Sequence, residues 1–206
     1  MSSAELHALI VENMADLEES YRQFEVIDRS VFSHIDRATE SWAQENEWFG
    51  TFDYYDEERL RFAPSAWLRN GDSENSLPKA WFSLGVSDDD PGEDGPRGDA
   101  FYLTRLCNVR SGMLGFQVWP EWKLFGQNAW AWKRVVRAKS AELGAVGFSI
   151  GSNGSVFRQV KIETATLAEA IRRDNLESVI EVWRQSLDHL KTTLPTIEAV
   201  LASAVA

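Results

Sequence analysis

The sequence predicts an α+β fold in which a central antiparallel sheet of about four to six strands is flanked by N-terminal and C-terminal helices. Three observations predict it. Apolar residues recur at steps of three and four at both ends of the chain, the middle carries short apolar runs with period-two alternation, and turns rich in Gly, Pro and Asn separate those runs. At 206 residues, 44% hydrophobic and 12% aromatic, the chain is long enough to bury a sizeable core as one domain. The expected parts of that domain are a helical segment over 4–46, mixed strand and loop over 48–99, sheet and a basic helix over 100–163, and C-terminal helices over 166–203.

Along residues 4–24, Leu6, Ile10, Met14, Leu17, Tyr21 and Phe24 trace one stripe with acids between them, the pattern of an amphipathic helix. The stripe resumes with Val31, Phe32, Ile35, Ala38 and Trp42. Asp28 and Ser30 are candidate N-caps for a second helix, or mark a bend in the first. Trp48, Phe49, Phe52, Tyr54, Tyr55, Leu60, Phe62, Trp67 and Leu68, punctuated by Gly50 and Pro64, predict short strands and turns. Residues 80–86 predict a strand. The acidic, Gly- and Pro-rich stretch 87–99 predicts a loop.

Two further strands, 101–109 and 113–119, are expected to form a hairpin around Arg110, Ser111 and Gly112, with Pro120 stopping the ladder. Asn128 is a candidate cap for a helix through Trp130, Trp132, Val135, Val136 and Leu143 that closes at Gly144. Gly151-Ser152-Asn153-Gly154 joins two alternating segments, 148–150 and 156–162, in the clearest hairpin signal of the chain, and that sheet is expected to have one wet face. Thr166 and Glu169 have capping-box spacing. Leu176, Val179, Ile180, Trp183, Leu187, Leu190 and Leu194 form a C-terminal stripe that stops at Pro195. The heptad-like stripes Ile10–Phe24 and Leu176–Leu194 could pair the terminal helices within a monomer or in a homodimer.

Charge is unevenly spread. Residues 1–99 hold 23 acids and 8 bases, a net −15, whereas residues 100–206 hold 9 acids and 13 bases, a net +4. Such bipolarity bears on partners and steering rather than on fold. An overall charge of −11 repels nucleic acid, although a local basic face could still bind it. Cys107, the single cysteine, cannot form an internal disulfide, no window is long and apolar enough for a membrane span, and the N-terminus lacks a basic region followed by an apolar run. These observations lead to the expectation of a cytoplasmic protein.

Chemistry-bearing motifs are few. Asp88, Asp90, Asp94 and Asp99 could supply oxygen ligands, but Glu93 stands where an EF-hand turn needs glycine, so no metal site is expected there. His7, His34 and His189 fall on helices without metal-ligand spacing. No nucleophile elbow, P-loop or dinucleotide fingerprint is present, so no cofactor is expected and a non-enzymatic protein is favoured. Glu121-Trp122-Lys123, just after a strand, resembles the D/E-x-K half of the PD-(D/E)xK nuclease signature. That resemblance, spanning Asp99 to Lys123, implies Asp99 and Glu121 as Mg²⁺ ligands and Lys123 beside the attacking water.

The other constellation is basic and aromatic. Between Arg105 and Lys139, the bases Arg110, Lys123, Lys133, Arg134 and Arg137 are accompanied by a single acid, Glu121. Trp130, Arg134 and Arg137 share a helix face opposite Trp132, Val136 and Leu143, and of the nine tryptophans Trp122 and Trp130 are expected to be exposed. The favoured reading is a regulatory or accessory module that binds a protein partner through Trp122, Trp130, Arg110, Lys133, Arg134 and Arg137. The alternative is a Mg²⁺-dependent nuclease, or a degenerate nucleic-acid-binding relative, built on Asp99, Glu121 and Lys123.

Overall fold

The computed structural model describes residues 3–68, 77–87, 101–109, 112–121 and 129–205. The chain enters through α1 (Ser3–Glu12) and α2 (Met14–Glu45). Only Asn13 interrupts them. Its amide donates to the Leu9 carbonyl (3.2 Å) and its carbonyl accepts from the Leu17 amide (3.0 Å), so the helical repeat carries across. No break occurs at Asp28 or Ser30. Asp28 is instead inside α2, which corrects its reading as a cap of its own helix.

After α2 come β1 (Trp48–Asp53), α3 (Tyr54–Glu57), β2 (Arg59–Pro64), a 3-10 turn (Ser65–Trp67) and β3 (Ala80–Val86). Then follow α4 (Tyr102–Leu106), β4 (Leu114–Pro120), α5 (Ala129–Ala138), α6 (Ser140–Ala145), β5 (Ser149–Ile150), β6 (Val156–Gln159), α7 (Thr164–Arg172), α8 (Glu177–Thr192) and α9 (Leu194–Val205). The strands form one antiparallel sheet of six, ordered β1-β2-β3-β4-β6-β5, among the described residues. This is the α+β arrangement the sequence predicts.

Two strand expectations need correction. Residues 101–109 are not a strand but carry the short helix α4, and Leu103, Leu106 and Cys107, spaced three and four apart, are its buried side. The expected hairpin with 113–119 therefore does not exist. β4 pairs instead with β3, in the register Trp81↔Trp119 and Ser83↔Gln117, and with β6, in the register Gln117↔Phe157. Nor does Pro120 stop the ladder, since it lies opposite Ala80 at the end of β4. The β5–β6 hairpin forms as expected, with Gly154 at φ +93° in its turn.

One sheet face presents Trp48, Leu60, Phe62, Phe82, Leu84, Phe116 and Val118 to α2 and α8, and all of these side chains are buried. Phe116 meets Trp183 of α8 with ring centroids 5.3 Å apart. Buried polar atoms fix the same layer. Trp183 Nε1 donates to Thr39 Oγ1 (2.9 Å) and Trp42 Nε1 to Asp188 Oδ1 (2.8 Å), so α8 is held to the C-terminal half of α2 by packing and by directed bonds. The C-terminal stripe thus pairs with Val31–Trp42 rather than with Ile10–Phe24.

The opposite face is partly wet. Phe49 and Trp81 meet edge to face at 5.3 Å, Arg61 sits 5.0 Å from the Trp81 ring, and Trp119 is about half exposed. Gln117 is buried there, yet both ends of its amide are used: it donates to the Val86 carbonyl (2.6 Å) and accepts from Trp119 Nε1 (3.1 Å). No helix of the described residues is long and apolar enough to cross a membrane.

Candidate functional site

The sequence places its best candidate on α5, and the fold explains how that helix is held. Trp132 and Val136 are buried, while Trp130, Arg134 and Arg137 follow one another at i, i+4 and i+7 on the outer side. The β5–β6 turn holds the helix through its inner side and through one outer side chain, Arg137. Trp132 Nε1 donates to the Gly154 carbonyl (3.1 Å), Arg137 Nη2 donates to the Ser152 carbonyl (3.2 Å), and the stem of Lys133 lies against Gly154. A side chain at Gly154 would be strained by its positive φ and crowded by that lysine, 3.2 Å from an added Cβ.

The outcome is an exposed cationic and aromatic ridge. Trp130 is 81% exposed, the largest such fraction among the large hydrophobic side chains of the described residues. Arg134 and Arg137 are exposed and enter no ion pair among the described residues, whereas nearby Lys139 pairs with Glu142 at 2.7 Å. Arg110 and Trp122 lie outside the described residues. A shallow recess of about 90 Å³ opens beside α5, lined by Gln117, Trp119, Pro120, Trp132, Asn153 and Ser155.

Trp119 escaped the sequence reading, although the signal was there. Alternation along β4 puts Phe116 and Val118 in the core and therefore Gln117 and Trp119 on the other face. Of the nuclease-like set, Asp99 and Lys123 lie outside the described residues. Glu121 is half-buried just past β4, its amide donating to the Lys79 carbonyl (2.9 Å). The candidate calcium ligands Asp88, Asp90, Asp94 and Asp99 also lie outside. Among the described residues no three His, Cys, Asp or Glu side chains gather as a metal site.

A second polar group, invisible in the sequence, lies beneath α2. Asp28 Oδ1 accepts from the Leu103 amide (2.9 Å) in the first turn of α4, and Asp36 Oδ2 accepts from the Tyr54 amide (3.0 Å) in the first turn of α3. Each carboxylate satisfies an amide that the short helix itself cannot pair. Burial pushes Asp28 above the usual carboxylate range against the pull of the Leu103 and Tyr102 amides, and pushes Asp36 up to about 6 against the Tyr54 amide. Burial likewise raises the Tyr54 and Tyr102 phenols; Tyr102 donates to Glu58 Oε1 at 2.6 Å. These acids hold backbone, and their geometry is architectural.

The Cys107 thiol is buried and raised by that burial, which leaves it a poor nucleophile. Compared with known proteins, the chain matches no family model, no curated protein and no solved structure.

Proposed function

We propose that this chain is a non-enzymatic, protein-binding regulatory or accessory module that grips an acidic protein surface through the outer face of α5. The observation that carries the reading is the combination of an 81% exposed Trp130 with an exposed Arg134 on the same face of a helix anchored to the β5–β6 turn, Arg137 beside them reaching the Ser152 carbonyl of that turn. Trp and Arg are the side chains that most often dominate binding energy at protein interfaces. A rigid helix presents them at little ordering cost. The net −15 of residues 1–99 supports long-range steering toward a partner whose charge is also segregated. The overall negative charge favours a protein over nucleic acid as that partner.

The test is a pull-down from the native host with the full chain, compared with Trp130→Ala and Arg134→Glu. The reading expects one stoichiometric protein whose affinity falls at least about thirtyfold in either variant, the loss typical of a central anchor. Recovery of nucleic acid in place of protein, or a protein bound equally well by both variants, would overturn it.

A further inference from the structure

The sheet ends in two edges of unlike length. β5 is only two residues long, whereas β1 runs for six, from Trp48 to Asp53, with β2 on one side and no strand among the described residues on the other. Natural edges of that length are defended by lysine, proline or a covering segment. β1 contains neither lysine nor proline.

Which backbone groups the edge leaves open follows from its register. The Glu47 carbonyl accepts from the Ser65 amide (3.0 Å), and Trp48 stands opposite Pro64, which has no amide to give. Bonds in an antiparallel pair fall on alternate residues. Phe49, Thr51 and Asp53 therefore bond to β2, while Trp48, Gly50 and Phe52 turn their amides and carbonyls outward. Trp48 is buried, so the open groups are the two of Gly50 and the two of Phe52. None of these four finds a backbone partner among the described residues. Gly50 is exposed and has no side chain to shield them, and a Cβ there would lie 2.1 Å from the Arg61 carbonyl oxygen. Such an edge is a template for one more strand.

Charge selects that strand. Residues 45–58 hold Glu45, Glu47, Asp53, Asp56, Glu57 and Glu58 and no base. Among the described residues only Glu45 of these enters an ion pair, with Arg184 at 3.6 Å. Arg59 and Arg61 stand on the next strand, and Arg61 lies against the Trp81 ring. Asp36, whose Oδ2 holds the Tyr54 amide next to Asp53, is buried with Oδ1 unpartnered among the described residues, and Asp53 and Asp56 oppose its ionisation. The end of β1 is thus a place of uncompensated negative charge. A second copy of this chain fits it badly, because a two-fold axis at Gly50 sets each Glu47 against the other copy's Asp53, and like charges placed opposite destabilise a strand pair.

We infer that the free edge of β1 docks an extended, basic peptide segment of another protein as an added strand. Laid antiparallel, the segment exchanges two bonds with Gly50 and two with Phe52, and carries lysine or arginine opposite Asp53 and Glu47. This surface and its ligand chemistry are separate from those of α5.

The test titrates the full chain with the capped peptide KVTVTVK, whose end lysines reach Asp53 and Glu47 when its central valine faces Gly50. Amide exchange of Gly50 and Phe52 is expected to be fast in the free chain and to slow at least about tenfold at saturation, with Thr51 unchanged. N-methylation of the second and fourth peptide residues keeps every charge and removes the two amides that face β1, and is expected to weaken binding about thirtyfold. The counterpart EVTVTVE is expected not to bind at about 1 mM. Glu47→Lys, at an exposed side chain, is expected to weaken KVTVTVK about fivefold with an unchanged unfolding midpoint. No binding of KVTVTVK by about 1 mM, equal binding of the N-methylated peptide or of EVTVTVE, indifference to Glu47→Lys, or Gly50 and Phe52 amides already protected in the free chain would each overturn the inference. Trp130→Ala is expected to bind KVTVTVK as the native chain does, so this inference and the α5 reading fail independently.

Discussion

The two halves of the α1–α2 run carry the same periodic stripe and meet opposite fates. From Val31 to Trp42 the stripe is sealed by the sheet and α8, with Thr39 and Trp42 bonded to Trp183 and Asp188. From Leu6 to Leu17 the residues are equally apolar and stand exposed. The difference teaches that periodicity specifies a helix and the side it wants covered, while the cover itself is a property of distant sequence. The sequence allowed the exposed half to pair with the C-terminal stripe, within a monomer or in a dimer, and within the chain α8 packs on the other half instead.

The largest break in the comparison comes from the buried half. Trp183→Ala removes a fully buried ring and leaves Thr39 Oγ1 without its donor, and chemical denaturation is expected to register a loss of about 3–5 kcal/mol. Asp36 sharpens the same contrast through pH. Its folded value, near 6, stands above the ordinary 3.8, so between those values the native state holds a proton that the unfolded chain has released. Stability is therefore fully supported below about pH 4 and is lost as pH rises through 6, by roughly 1–3 kcal/mol, and Asp36→Asn is expected to flatten that slope. Denaturation midpoints across the interval would settle it; an unchanged slope in the variant would exclude Asp36 as the source.

Asp28→Ala strips the cap from α4 and is expected to cost about 1–2 kcal/mol, with amide exchange of Leu103 accelerating before that of the sheet. The smallest effect belongs to the exposed half. Leu17→Ala is expected to change stability by less than about 0.5 kcal/mol, because no cavity forms at so exposed a side chain. A loss of several kcal/mol there would erase the distinction between the halves.

Much of the architecture was legible because local chemistry announced it. Gly151-Ser152-Asn153-Gly154 marked its hairpin, the C-terminal stripe marked α8, and the offset of Trp130 from Trp132 told outer face from inner on α5. The failures came where a short apolar run suited two periods. In residues 101–109 the eye counts apolar residues, but Leu103, Leu106 and Cys107 already carried the helical spacing. At the candidate site, exposure of Trp130 followed from helix geometry. The role of the β5–β6 turn as its clamp, and the exposure of Trp119, depended on strand pairings between segments far apart in the chain.

The paired carboxylates beneath α2 carry one more consequence, for the order of assembly. Helices α3 and α4 span only 4 and 5 residues, far below the length at which an isolated helix persists in water. Their stabilising acceptors sit 18 and 75 positions away in the chain. Neither turn can gain its bond until α2 has docked, so the Tyr54 and Leu103 amides are expected to exchange together whenever this long helix lifts from the body.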